Sequence, residues 1–390
     1  MTPGFDVAVI GRGLMGSACA RHLAEAGASV ALVGPDEPDD RATFTGPFGS
    51  HHDQGRITRK LAHDPDWSRL SSRSIARYGD LEARSGLSIF TPCGGMMAGP
   101  VSGPGESFTK GFLAVARDLG IAHEYHDATT LPGRFPFFRF APGTCAAWEA
   151  TGGHINPRAI RDAEALLAER AGAELVRTPA TRLRGGEVGL ADGTHLAADH
   201  VVVATGGYAA TDRFLTARPR LRVYARTIAF AEVDEAEAAR LAHMPSLIFF
   251  PEGLAYDLYV LPPIRYPDGR LYLKIGGEGD SPIMQDDAEM TAWFQGDGNP
   301  AVGAELIGHL RELMPELAIR SVHTGSCAVS FTETGFPYIA RLSDRLTLLT
   351  GGNGAGAKCC NELGRLGAMV ARGQPLNAEG YGTDFGAVLD

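Results

Sequence analysis

The sequence predicts an α/β fold joined to an α+β second domain, and three observations carry that expectation. Near the start, residues 5–10 form a short apolar strand that runs into Gly11-Arg12-Gly13-Leu14-Met15-Gly16, with a helical pattern and a second strand, 29–33, after it. Near the end, the apolar run 346–350 enters Gly351-Gly352-Asn353-Gly354-Ala355-Gly356-Ala357-Lys358 and then a helical pattern over 363–370. Between them, 221–233, 247–250, 257–261 and 270–275 read as longer, partly alternating strands separated by an acidic helix (235–242) and proline turns. The first two predict a Rossmann-like domain that binds a dinucleotide, and the third predicts an antiparallel-sheet domain.

In the opening unit Gly11 permits the tight turn, Gly13 lets the backbone approach a pyrophosphate, and Gly16 lets helix and strand pack closely. Leu14 and Met15 then start the helix whose unpaired N–H groups face the anion. Such folds place an acidic residue at the end of the second strand to hold the ribose hydroxyls. Here Gly34-Pro35-Asp36 stands instead, so either Asp36 or Glu37 reaches back, or backbone and water hold the ribose.

The 390 residues, 44% of them hydrophobic, suffice for two domains. A formal net charge of −10 and the absence of a long Lys/Arg run argue against nucleic-acid or anionic-membrane partners. Six cysteines without a C-x-x-C predict free thiols and neither a disulfide framework nor a metal site. No run of eighteen apolar residues and no signal-like N-terminus occur, which predicts a soluble cytoplasmic protein.

After the second strand comes a polar, glycine-rich loop over 43–55, which includes Ser50, His51 and His52 and delivers Arg56-Ile57-Thr58-Arg59. If that stretch is helical, Arg56 and Arg59 face one ligand; the alternative is a solvated basic turn. A helix is expected over 67–85. Asn156 reads as an N-cap with Pro157 at the first helical position, leading a helix over 158–171. The wholly apolar 201–204, ending in Thr205-Gly206-Gly207, reads as a buried parallel strand whose carboxyl end touches a ligand. His51 and His52 either line the site or pack against Trp67 or Phe48.

With these motifs assembled, the chain resembles the flavin-dependent amine and amino-acid oxidases of the D-amino acid oxidase superfamily, and within them the monomeric sarcosine oxidase and N-methyltryptophan oxidase branch. The resemblance covers nearly the whole chain. It implies FAD, held across a discontinuous FAD-binding domain (1–90, 151–220 and 321–385) and facing a substrate domain (91–150 and 221–320). It implies FAD contacts from Gly11, Gly13, Leu14, Met15, Gly16, Ser50, Arg56, Thr205, Gly206, Gly351, Asn353, Gly354, Gly356 and Lys358. Arg56 matches the arginine near the flavin ring. Arg59 and Lys358 match the pair that holds the substrate carboxylate, with His52 beside them, a chemically sensible fork and ammonium on one anion. Lys274 matches the lysine that helps activate oxygen, where a cation stabilises developing negative charge; without the resemblance it also reads as a solvent-facing residue of an edge strand. Tyr259 matches an active-site tyrosine.

Two departures stand out. Glu278 occupies the place of the branch's histidine four residues beyond the lysine, which changes field and substrate preference. Val329 occupies the place of the cysteine that attaches the flavin, with Cys327 two residues earlier on the same strand face. Non-covalent FAD is therefore expected, with Cys327 a plain buried thiol. The implied reaction is oxidation of a carboxylate-bearing amine (secondary, N-methyl or primary) to an imine that hydrolyses, with molecular oxygen as acceptor and hydrogen peroxide as product. The alternatives are a dehydrogenase that passes electrons to a quinone or protein, and a flavin-binding assembly subunit with little chemistry. The protein is expected to act as a monomer or homo-oligomer.

Overall fold

The computed structural model describes residues 4–211, 213–277, 279 and 281–390. At the middle of an eight-stranded sheet lies the strand Gly4–Ile10, paired in parallel with Val30–Val33 on one side and His195–Val203 on the other. Glu174–Val176 and Leu346–Thr350 extend this parallel arrangement outward. Antiparallel strands Ala180–Arg184, Glu187–Leu190 and Tyr338–Ser343 complete it. Unbroken runs such as Val7–Ile10 and Val201–Val203 are buried, as strands covered on both faces must be.

The helix Leu14–Glu25 packs between Gly356–Ala371 and Pro157–Arg170 on one face of this sheet. Leu23, Leu32, Leu70, Leu363 and Leu366 fill the layer between them. The first two helices approach closely because a side chain at Gly364 would meet the Ala18 Cβ at 2.4 Å. Asn156 accepts a hydrogen bond from Ala159 N at 3.1 Å with Pro157 opening the helix, as the sequence predicts. Asp64 caps the long helix Pro65–Ser85 through Asp66 N and Trp67 N, an interaction that contributes about 1 kcal/mol.

The second sheet has nine strands and is antiparallel except where Ser246–Phe249 runs beside Gly95–Pro100. Its longest strand, Leu221–Val233, lies one in from an edge, flanked by Leu271–Gly277 on one side and, along nearly its whole length, by the edge strand Ser321–Thr332 on the other. A core of Met96, Phe135, Phe138, Leu247, Val260, Leu273 and Leu310 lies against this sheet. The aromatic stretch around Phe135 therefore packs inward.

Neither conformation considered for the arginine stretch, helix or basic turn, is the one adopted. Arg56–Thr58 is a strand, paired antiparallel with Gly153–Ile155 in a separate three-stranded sheet, and not a helix. Three-residue spacing brings Arg56 and Arg59 together in a helix but sends them to opposite faces of a strand; they converge only because Arg59 lies beyond the strand's end. Among the described residues, no helix is long and apolar enough to cross a membrane, and no cluster of His, Cys, Asp and Glu is placed to hold a metal.

Candidate active site

Residues of both large sheets line one cavity of about 880 Å³, from Gly34 and Arg161 beside the parallel strands to Arg59, Asp257 and Tyr259 beside the antiparallel ones. Its size lies within the roughly 300–1,000 Å³ common to cofactor and substrate sites.

At the parallel-sheet end much of the wall is backbone. Gly11 adopts φ +116°, and a side chain there would lie 2.3 Å from the Ala204 carbonyl oxygen. A Cβ on Gly16 would lie 1.9 Å from the Gly11 carbonyl oxygen, so Gly16 does not line the cavity but lets the helix close onto the strand. The helix Leu14–Glu25 begins at Gly13 and the helix Gly356–Ala371 at Ala355, both without a side-chain cap. Their first N–H groups thus have no side-chain acceptor where the cavity passes them.

Arg12 explains the missing acid on the second strand. A Cβ on Gly34 would meet Arg12 N at 2.8 Å and Arg12 Cβ at 2.9 Å, so the space is already taken. The buried Arg12 guanidinium pairs with Asp36, and its Nε and Nη1 have no partner among the described residues. Asp36 also pairs with Arg177, and Glu37 pairs with Arg158 and Arg161. Both acids line the cavity, but arginines already engage them. Unpartnered guanidinium donors beside an uncapped helix start suit an anion such as a dinucleotide pyrophosphate.

Ser50, His51, His52, Arg56, Thr205, Gly206, Gly351, Asn353, Gly354, Gly356 and Lys358 line the same cavity, as do Gly11, Gly13, Leu14 and Met15. Thr205 Oγ1 is buried without a partner. His52 packs edge-on to His51 and to Phe48, with ring centroids 4.5 and 6.4 Å apart, so lining the site and packing the loop hold together; Trp67 stacks on Phe336 instead. Burial, then the Arg161 and Arg158 charges, pull the His52 pKa down to about 3, which keeps its imidazole neutral.

Lys274 is not on an edge strand, and it is not solvent-facing. Its strand is paired on both sides and the residue is 0% exposed. Nor does it line the cavity. Its ammonium donates to Asp53 Oδ2 at 2.6 Å and to the Gly55 carbonyl oxygen, behind the Arg56 side chain, which forms an ion pair with the same Asp53. Tyr259 does line the cavity, with its ring centroid 5.7 Å from Lys274 Nζ. Cys327 and Val329 both face the cavity from Ser321–Thr332, and the Cys327 Sγ accepts a hydrogen bond from Arg56 Nη2 at 3.6 Å. Glu278 lies outside the described residues.

The far end of the cavity holds two buried cations. Arg59 is 8% and Lys358 5% exposed, and neither forms an ion pair or side-chain hydrogen bond among the described residues. Burial first, then the Arg59 charge, lower the Lys358 pKa to about 8. Glu149 is the nearest acid influencing both, but it is spent on the backbone N–H groups of Lys60 and Leu61, at 2.5 and 3.1 Å. Asp257 also faces the cavity; burial raises its pKa and Arg59 opposes that rise. An arginine fork and an ammonium without counter-ions form a site for a carboxylate.

Arg12, Asp53, Arg161 and Asp257 escaped the sequence reading. Asp53 left one signal, an acidic residue three positions before Arg56 in an otherwise neutral loop; Arg12 left another, a bulky cation inside a glycine fingerprint.

The family model described as FAD dependent oxidoreductase matches residues 6–369. The monomeric sarcosine oxidase of Streptomyces avermitilis is 34% identical over 215 residues, spanning 54% of this chain and 53% of that protein. N-methyl-L-tryptophan oxidase of Yersinia pestis is 23% identical over 95% of this chain and 96% of its own length. In three dimensions the chain superimposes on NikD, described as an unusual amino acid oxidase essential for nikkomycin biosynthesis, with a TM-score of 0.77, at 24% identity and covering 100% of this chain and 98% of that one. The chain therefore belongs to the FAD dependent oxidoreductase family, among the relatives of sarcosine and N-methyltryptophan oxidases in the D-amino acid oxidase superfamily.

Proposed function

We propose that this protein binds FAD non-covalently along the cavity and oxidises a carboxylate-bearing amine, a secondary, N-methyl or primary amino acid. In this reading the Rossmann-like half, residues 1–90, 151–220 and 321–385, holds the dinucleotide. Residues 91–150 and 221–320 close over the substrate, with the strand Ser321–Thr332 carrying Cys327 and Val329 between them. The observation that carries it is the pair Arg59 and Lys358, two buried cations without a direct ion pair among the described residues, in a cavity that also passes the glycine fingerprint. An unpaired buried charge is costly, so a site that keeps two of them side by side is built for an anion.

Bound FAD supplies the two-electron oxidation, and the chain supplies orientation and charge. Arg59 and Lys358 fix the substrate carboxylate, which leaves the carbon bearing the amine as the part directed toward the ring. Arg56 and Tyr259 form the wall on that side. Neutral His52 adds no competing charge. Val329, where the branch carries its attaching cysteine, offers no nucleophile, which supports a flavin released intact by denaturation.

The test is anaerobic flavin reduction by secondary, N-methyl and primary amino acids, followed by oxygen uptake and hydrogen peroxide release. Bleaching by a carboxylate-bearing amine, and not by the matching amine without a carboxylate, is expected. Flavin reduced by substrate but scarcely reoxidised by air would remove the oxidase assignment. Acid precipitation that leaves flavin on the protein would remove the non-covalent one.

A further inference from the structure

The sequence reading has no place for Asp53, yet its carboxylate is a well-connected buried acid behind Arg56, which lines the cavity. It is 5% exposed. One oxygen accepts from Tyr266 Oη and Gln54 N, both at 2.7 Å, and the other from Lys274 Nζ at 2.6 Å; Arg56 pairs with it as well. The Gly55 carbonyl oxygen takes a second Lys274 hydrogen bond. Gly55 is pressed on the antiparallel sheet, since a Cβ there would lie 2.5 Å from Ile264 Cδ1. The loop 51–55 thus reaches across from the fingerprint side and inserts one carboxylate between two cations contributed by different sheets.

That insertion fixes a charge. With Lys274 ionised and Asp53 ionised, the trio sums to +1 with Arg56; with the shared proton on Asp53 and Lys274 neutral, it still sums to +1. The cluster's charge therefore does not depend on where that proton sits. The other titratable groups facing it are Tyr259 and Tyr266, whose pKa values burial raises; His154, lowered by burial to about 4; and the Cys327 thiol. The tyrosines and His154 are uncharged near neutrality. Burial, then Arg56, push the Lys274 pKa well below its usual range, with Cys327 opposing; the Asp53 carboxylate, at 2.6 Å from Nζ, is placed to favour the ammonium.

We propose that Asp53 is a positioning residue that locks Lys274 and Arg56 into a unit of single positive charge beside the flavin ring, which holds for as long as the Lys274–Asp53 pair keeps its shared proton. This rests on the FAD reading above. Removing the carboxylate frees Lys274 to titrate alone: the unit becomes +2 when the lysine is protonated and returns to +1 when it is not.

Sulfite, which adds to the oxidised ring and leaves a negative charge on it, reports that field without turnover. Its dissociation constant is measured on flavin-loaded wild type and variants across pH, and each variant is read as a ratio to wild type, which cancels sulfite's own ionisation. Asp53→Asn is expected to bind sulfite at least about tenfold more tightly at the acid end and to converge on wild type at the alkaline end. Asp53→Asn/Lys274→Met, left with Arg56 alone at +1, is expected to track wild type throughout. Lys274→Met alone, where Asp53 neutralises Arg56, is expected to bind about tenfold more weakly. The last two variants form a comparison that stands even where Asp53→Asn does not fold, because neither carries an unpaired lysine. Asp53→Asn following wild type at every pH, or having no effect in the Lys274→Met background, overturns the proposal while leaving flavin binding intact. A wild-type chain that retains no flavin overturns the FAD reading and this one with it.

Discussion

The two ends of the cavity recognise negative charge by different means. At the fingerprint end the recognition is made mainly by backbone, through two uncapped helix starts and glycines pressed against carbonyl oxygens, with added donors from one arginine whose charge Asp36 balances. At the substrate end it is made by side chains, Arg59 and Lys358, buried without partners. Backbone recognition is rigid and tolerates no added atom. Side-chain recognition tolerates change in shape, but it stores positive charge without a direct ion pair, which a bound anion relieves. Substitutions at the two ends should therefore fail differently, the first in folding and cofactor retention, the second in chemistry with folding intact or improved.

The largest effect is expected at Gly16. Its Cβ would lie 1.9 Å from a main-chain oxygen, and no rotamer change relieves that overlap. Gly16→Ala should cost about 3 kcal/mol of stability or more. The checks are thermal unfolding and flavin retained through gel filtration. A protein that melts like wild type with its flavin in place would break the contrast at its rigid end.

Next in size is Arg59→Ala, which removes a buried donor to the substrate carboxylate. The loss should be about 2–4 kcal/mol, or roughly 30- to 1,000-fold in kcat/KM. Lys358→Met should lose a similar part of carboxylate affinity while raising the melting temperature, because an apolar chain of similar volume replaces an unpaired buried charge. If Lys358→Met is destabilised instead, the ammonium has a structural role and the storage argument fails.

A smaller and more specific effect concerns pH. Lys358 titrates at about 8 in the folded protein, below the ordinary lysine value. Its ammonium is thus present below that pH and lost above it. Binding of a simple carboxylate without an amine, such as propionate, should weaken as pH rises through about 8, by up to tenfold per unit in the steepest part. The flavin spectrum reports the dissociation constant. The limb should vanish in Lys358→Met; its persistence there would assign the titration to another group.

The same contrast decides what the sequence made legible. The strand–glycine–helix units at both termini were readable because backbone constraints act within a few residues: Gly11 and Gly16 are needed by atoms close in the chain or in the adjoining strand. The cation pair was readable only through resemblance, since Arg59 and Lys358 lie on separate elements whose meeting depends on the whole fold. Whether Arg56 and Arg59 lie on a helix or a basic turn could not be decided locally, because pairing with Gly153–Ile155, nearly a hundred positions away, makes the stretch a strand. Asp53 was missed for a related reason. Its partners Lys274 and Tyr266 are more than 200 positions distant and join it through the antiparallel sheet. Lys274 was recognised as important, but its burial behind Arg56 was beyond sequence reading.

Gly34 offers the smallest effect and the finest test, because two explanations of it predict opposite signs. If Gly34 is merely a lost ribose acceptor, then Gly34→Asp restores the usual acid and tightens FAD binding, whereas Gly34→Ala, which restores nothing, does not. If Arg12 has taken the space, the first atom of any side chain already collides with Arg12 N at 2.8 Å and Arg12 Cβ at 2.9 Å. Both substitutions then weaken FAD binding alike, by about 1–2 kcal/mol, or roughly 5- to 30-fold in dissociation constant. The collision includes a main-chain nitrogen, so trimming Arg12 to Ala should recover little of this loss. It should instead cost affinity of its own, by withdrawing the unpartnered Nε and Nη1 donors and leaving Asp36 without its buried partner. Titration of the apoprotein with FAD checks all three variants. Tighter binding by Gly34→Asp alone would show that the fingerprint end accommodates an added side chain, and the contrast between a rigid end and a tolerant one would no longer hold.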